Sequence, residues 1–208
     1  MSIPGVNVQT AATFMASIGD IRRFSSPRKL VSYLGLDPRV RQSGSGPAHH
    51  GHISKAGCSE ARHMLGEVAW KVMLTPGPLR AFFERVRVRR GPQIAATATA
   101  RKLVVLFWHL LTREEDYAFA RPALTRNKIR GLELLAGAPP QKGRKGVAGG
   151  KSKARYEAER ELSRQAEAAY RRLVSDWKAT GPPKAGAGTT PGRASSGPSR
   201  GKAARQTP

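Results

Sequence analysis

Apolar residues recur at helical spacing through the first part of the chain and thin out towards its end. Val8, Ala11, Ala12, Met15 and Ile18 form one stripe, predicting a helix between the turn Ile3-Pro4-Gly5-Val6-Asn7 and the stop Gly19-Asp20. Ser25-Ser26-Pro27 gives an N-cap with proline at the first helical position, the segment RKLVSYL follows, and Gly35 ends it. A third helix starts near Ser59 and turns Ala61, Leu65, Val68, Ala69 and Val72 to one side, until Pro76-Gly77-Pro78 breaks it. The next, LRAFFERVRVRR, points Leu79, Phe82, Phe83 and Val86 inward. After Gly91-Pro92, a stretch from about Ile94 to Leu111 is apolar on most faces, which marks it as the central helix. No alternating strand pattern of useful length interrupts the series, and the expected fold class is all-α.

Beyond residue 120 the pattern changes. Residues 121–155 read as a linker, 156–178 as one amphipathic helix with Leu162, Ala166, Ala169, Tyr170, Leu173 and Trp177 at helical spacing, and 179–208 as a disordered basic tail. Residues 1–120 are then the folded domain. The tail is too poor in apolar residues to offset the entropy of ordering it. The helix between the two is expected either to dock on the domain or to self-associate.

Between Leu34 and Arg62 lies LGLDPRVRQSGSGPAHHGHISKAGCSEAR, dense in hydroxyls, cations and imidazoles and sparse in apolar groups. This composition predicts a long basic loop held by a helical scaffold. Charge points to what it meets. The 208 residues carry a formal net charge of +23, with a sequence pI of about 11.5. Such a field attracts a polyanion, with nucleic acid ahead of an anionic membrane surface. No run of about 18 apolar residues is present to span a bilayer, and the N-terminal residues lack the order of a signal peptide, so a cytoplasmic protein is expected. The single cysteine, Cys58, excludes an internal disulfide.

Three chemistries compete for the loop. His49, His50 and His52 with Cys58 or His63 match no standard spacing of zinc ligands, and no metal site is assigned. Asp20, Asp37, Glu60, Glu67 and Glu84 are scattered over separate elements and do not encode a two-metal nuclease centre. Ser43 stands two residues after Arg41 and just before Gly44, a setting that suits attack on a phosphodiester: cations take the charge that builds on phosphorus and the glycine leaves room for a backbone. Basic loops with serines also serve as plain phosphate clamps, and the residues alone leave both roles open.

The ordered series IGDIRRF, RKL…YLGL…PRVRQSG and ISKAG resembles the C-terminal domain of the insertion-sequence one-ten family transposases, also described as bridge-RNA-guided recombinases. The likeness covers about Ile3 to Tyr117. It implies a DNA strand exchange in which a serine joins covalently to DNA, and by position that catalytic serine is Ser43. The ISK motif of the family falls on Ile53, Ser54 and Lys55, and Arg39, Arg41, Gly44, Ser54, Lys55 and Arg62 are expected to bind nucleic acid. The PGV turn ahead of TAA resembles the hairpin of a helix-hairpin-helix module, whose backbone N–H groups grip phosphate. That adds Gly5 and Asn7, with Asn7 expected at positive φ. The family also carries an acidic RuvC-like domain that holds Mg²⁺; no such segment is encoded here, so this chain is expected to be a truncated form without a cofactor of its own. DNA is the implied partner, with guide RNA and a second copy of the chain as further ones. The rival expectation is a non-catalytic basic nucleic-acid-binding protein derived from a transposase. A basic ribosome- or chromatin-like structural protein would explain the tail but not the ordered motifs.

Overall fold

The computed structural model describes residues 1–139 and 148–180. Within them the chain runs α1 (Val8–Ile18), a 3₁₀ turn (Ile21–Arg23), α2 (Pro27–Tyr33), β1 (Pro38–Arg41), β2 (His49–Ile53), α3 (Ser59–Met73), α4 (Pro78–Arg90), α5 (Pro92–Arg113), α6 (Pro122–Leu135) and α7 (Ala148–Thr180). The fold is helical, as the sequence predicts, with one two-stranded antiparallel ribbon.

α5 is the centre. Ala95, Ala96, Thr99, Ala100, Leu103, Val104 and Phe107 are buried on it, and α2, α3 and α4 pack around them. It is long and apolar enough to cross a membrane by composition, but this face forms the core, and Arg101 and Lys102 are exposed. α3 buries the stripe Ala61, Leu65, Val68, Ala69 and Val72 as expected. On α4 the buried set is Leu79, Ala81, Phe83 and Val86, with Phe82 at its edge.

α1 corrects the expected stripe. Its buried residues are Thr10, Phe14 and Ile18, while Met15 and Ala12 are exposed. In a helix rich in alanine the bulk of Phe14 decides the face: it meets Phe107 edge-on at 4.8 Å. Thr10 tolerates burial because its hydroxyl donates to Asn7 Oδ1 at 2.7 Å.

The segment read as linker contains α6. Proline at its first position favours a start there, and the Glu159 carboxylate accepts from the Ala123 N–H at 3.1 Å. Lys128 on α6 then donates to the carbonyls of Met1, Ile3 and Val6 at 2.9, 3.3 and 2.7 Å, and burial lowers its pKa. Residues 140–147, also read as linker, lie outside the described residues, as does the expected tail from residue 181 onward. The helix expected over 156–178 extends over Ala148–Thr180.

α7 docks on α4, yet through a polar face. Glu167, buried, accepts from the Gly77 N–H at 3.1 Å and from Arg171 at 2.6 Å, and Arg80 lies 4.0 Å away. Arg121, also buried, lays its guanidinium over the Tyr156 ring at 4.4 Å.

Two Trp residues separate core from appendage. Trp108 packs against the core and donates Nε1–H to the Phe24 carbonyl at 3.0 Å, whereas Trp177 is 55% exposed. Trp108→Ala should cost about 3 kcal/mol, and Trp177→Ala in dilute solution should leave the melting midpoint unchanged; calorimetry of both variants checks this. Tyr117 supplies a pH signature, because burial pushes its phenol up to about 12 from 10.0. Its contribution is whole below pH 10, where both states are neutral, and is lost as pH rises towards 12 because the unfolded chain ionises first. Tyr117→Phe should therefore flatten the alkaline limb of the stability curve relative to wild type.

Candidate nucleic-acid interface

α2 ends in a Schellman turn. The Gly35 N–H donates to Ser32 O at 2.9 Å and the Leu36 N–H to Val31 O at 3.1 Å, with Gly35 at φ 68°. From there the chain leaves the helical core. Pro38–Arg41 pairs antiparallel with His49–Ile53, Arg41 opposite His49 and Val40 opposite His50, with an irregularity between Pro38 and Val40 where the second strand holds an extra residue. The expected loop is therefore a ribbon with an irregular tip. The strands escaped the sequence reading because apolar alternation never arises along them: Val40 is 54% exposed, and Ile53, at the end of β2, is only partly buried against the core.

Its base is fastened by the ISKAG residues. Ser54 donates its N–H to the Asp37 carbonyl at 2.8 Å and its hydroxyl to Asp37 Oδ1 at 2.7 Å, and Arg39 donates to the Ser54 carbonyl at 3.1 Å. The Lys55 N–H donates to Gly35 O at 3.0 Å, with Lys55 itself at φ 55°. Arg62 reaches back from α3 to the Leu34 carbonyl at 3.0 Å. Ser54 and Arg62, read as nucleic-acid contacts, thus have intramolecular partners, and Asp37 is a member of the site that the sequence reading left out. Its signal was there: a lone carboxylate amid cations, next to the proline that opens the strand.

Arg39, Arg41, His49, Gly51, His52, Ile53 and Lys55 line an open concavity of about 580 Å³ on the ribbon. Apart from Gly51 and Ile53 these are all cations or imidazoles, and no carboxylate is among them. A second groove, about 420 Å³, lies between α1 and α5 with Phe14, Phe107 and Leu110 on its walls. Glu114, Glu115 and Asp116 line it too, which disfavours a polyanion there.

Ser43 and Gly44 sit at the exposed tip, beyond the concavity's lining residues. Gly44 has φ 63°, and nothing lies within 4 Å of where a side chain would begin. Gln42 holds the tip by donating to Gly46 O at 3.1 Å. Cys58, at the start of α3, has its pKa lowered, first by its hydrogen bond with the Ser17 hydroxyl and then by the Ala61 backbone. Among the described residues no three His, Cys, Asp or Glu side chains converge on a metal-sized point, so these residues do not fit the Mg²⁺ centre that the resemblance implies.

The other expected phosphate site, at the first turn, is built differently. Asn7 has φ −99°, not positive, and caps α1 by accepting from the Thr10 N–H at 2.8 Å. A β-region N-cap is what a helix start requires, and Asn serves it better than it would serve a glycine position. Gly5 does take φ 88°, but its open side faces α3, where a Cβ would lie 3.4 Å from Lys71 Cβ. The close approach it permits is to protein.

Gly35 and Gly57 carry the strictest demand. A Cβ on Gly35 would overlap the Ala56 backbone, and one on Gly57 the Tyr33 carbonyl oxygen. Gly57→Ala should cost more than about 2 kcal/mol, while Gly44→Ala should cost only about 1 kcal/mol of left-handed strain; urea unfolding midpoints of the two variants test the contrast.

Comparison with known proteins singles out the same segment. The family described as Transposase IS116/IS110/IS902 matches residues 1–84. The chain is 39% identical over 124 residues to the transposase for insertion sequence element IS1111A of Coxiella burnetii, covering 56% of this chain and 33% of that protein. It is 29% identical over 136 residues to the insertion element IS110 uncharacterized 43.6 kDa protein of Streptomyces coelicolor, covering 65% and 32%. Against the pilin gene-inverting protein of Moraxella bovis the identity is 30% over 122 residues, covering 56% and 37%. The chain thus spans about a third of the length of these relatives. These matches support the IS116/IS110/IS902 family of insertion-sequence transposases for the segment that runs from α1 through the ribbon into α4.

Proposed function

We propose that this chain is a DNA-binding portion of an insertion-sequence transposase, in which the basic ribbon grips DNA and Ser43 is the nucleophile of strand exchange. The observation that carries the proposal is the ribbon itself: Arg39, Arg41, His49, His52 and Lys55 surround one concavity, and Ser43 stands at the tip that those strands support. A two-stranded ribbon fits the major groove of B-DNA; Arg41 is exposed on it, and Arg39, which gives one N–H to the Ser54 carbonyl, has further donors for phosphate. The relatives' names, a transposase and a gene-inverting protein, fit DNA rearrangement. A guide RNA would be bound by the same electrostatics.

In the proposed step, Ser43 Oγ bonds to phosphorus as the P–O bond to one deoxyribose breaks. The serine proton ends on the departing oxygen, leaving a serine–DNA phosphodiester and a free hydroxyl; attack by the hydroxyl of another strand reverses the step and rejoins the DNA. Arg39 and Arg41 stabilise charge on the phosphoryl oxygens. Acidic, Mg²⁺-holding residues would come from a RuvC-like domain outside these residues. The second reading, a binder without chemistry, is favoured by one observation: among the described residues, no side chain is bonded to the Ser43 hydroxyl to activate it.

The test supplies a full-length relative's acidic domain, in trans or by fusion, with its RNA and target DNA. Ser43→Ala should abolish the covalent protein–DNA species with little change in affinity, and Ser45→Ala should retain it. Ser54→Ala should loosen the ribbon by freeing Asp37 and weaken binding, yet leave some adduct. Arg41→Ala should make the log–log salt dependence of DNA binding shallower by about 0.9, whereas Arg39→Ala should do this and also loosen the ribbon's base by losing the bond to the Ser54 carbonyl. An adduct that persists without Ser43 assigns the nucleophile elsewhere, and tight binding with no adduct from any serine establishes the second reading.

A further inference from the structure

The 33-residue helix α7 lies on the domain with its amphipathicity reversed. The side facing α4 and α6 carries Tyr156, Glu159, Ser163, Glu167 and Tyr170, with Ser163 and Glu167 buried. The most apolar side faces solvent: Leu162 is 65% exposed, Leu173 64% and Trp177 55%. A soluble helix ordinarily does the opposite. This outward side also keeps a strict order. Leu162, Ala166, Ala169, Leu173 and Trp177, of which Ala166 is half-buried and the others exposed, follow one another by four, three, four and four positions, within about 80° of helix circumference, which is the spacing of a coiled-coil seam.

From this we infer that α7 is a dimerisation helix, its outward seam packing antiparallel against the same seam of a second copy of this chain. The seam reads the same in both directions. Reversal about a point between Glu167 and Ala168 sets Leu162 against Leu173, Ala166 against Ala169 and Trp177 against Ala158. A two-fold contact requires this, because one patch must complement itself. The alanines at the middle let the helices approach closely, and the bulk of Trp177 meets a small side chain, Ala158. Charge agrees. On the flank away from α4, Arg172 comes within about 3 Å along the axis of Glu161 of the second copy, and symmetry repeats the pair. Glu161 already holds Arg164 at 3.0 Å in the same chain and keeps its other oxygen for a second cation. Arg164 and Arg171, which the reversal also brings level, lie on the far side of the helix and do not confront each other. Six apolar side chains per copy, three of them alanine, make a small interface, so micromolar association is expected rather than nanomolar.

The experiment uses nuclease-treated full chain in sedimentation equilibrium at ionic strengths that bring the Debye length to about 8 Å or less, so that the two net positive charges are screened. A dimer mass should appear at tens of micromolar and strengthen with salt, the reverse of nucleic-acid binding. Leu162→Glu with Leu173→Glu should weaken dimerisation by more than about tenfold while leaving the melting temperature of the dilute protein unchanged. In a Cys58→Ser background, Leu162→Cys with Leu173→Cys should form an intermolecular disulfide under mild oxidation. Leu162→Cys alone should not, because its two copies would lie about 16 Å apart along the axis. A protein that stays monomeric, a dimer lost on nuclease treatment, efficient cross-linking by Leu162→Cys alone, or a lower melting temperature of the dilute double-Glu variant would each overturn the inference.

Discussion

The ribbon depends on a crossing of two backbones without side chains between them. Where α2 stops, Gly35 passes against Ala56, and where the ribbon returns, Gly57 passes against the Tyr33 carbonyl. Only glycine permits either approach, and each sits at positive φ. The hydrogen bonds from Lys55 N–H to Gly35 O and from Ser54 to Asp37 become possible at that separation. The cations on the ribbon take their positions from this crossing, since the strands touch the core only at their base, where Ile53 packs partly buried against it. An arm whose apolar anchoring is confined to its base must be aimed from there.

Much of the fold was legible because burial is periodic. The α3 stripe and the central place of α5 follow from residue spacing alone, as do the breaks at Pro76-Gly77-Pro78 and Gly91-Pro92. Where periodicity is degenerate, reading fails. Alanines at both Ala11 and Ala12 leave the face of α1 undecided until Phe14 is seen against Phe107. α6 escaped notice because it buries no residue fully and is held largely by polar contacts, Lys128 to three carbonyls and Glu159 to its first turn. The exposed strands of the ribbon left no alternation to detect.

The site was legible as a composition rather than as a geometry. The cations of PRVRQSG and ISKAG do come together around one concavity. What spacing could not convey is the division of labour inside the motifs. Ser54 and Arg62 support backbone, Asn7 caps a helix, Gly5 faces α3, and Asp37 organises the ribbon's base. In IGDIRRF the same holds: Asp20 accepts from the Arg22 N–H at 2.9 Å and Phe24 is buried, so the motif carries a bend of the scaffold. A dense motif mixes groups that touch a ligand with groups that hold those groups still.

Lys128 has a further consequence, in time rather than in space. The turn that launches α1 presents the carbonyls of Met1, Ile3 and Val6 to a single ammonium from α6. During synthesis those oxygens emerge long before Lys128 does and must remain hydrated until it arrives. The turn ahead of α1 is therefore secured only after α6 is made, later than α1 itself, whose Phe14 can already meet Phe107 of α5.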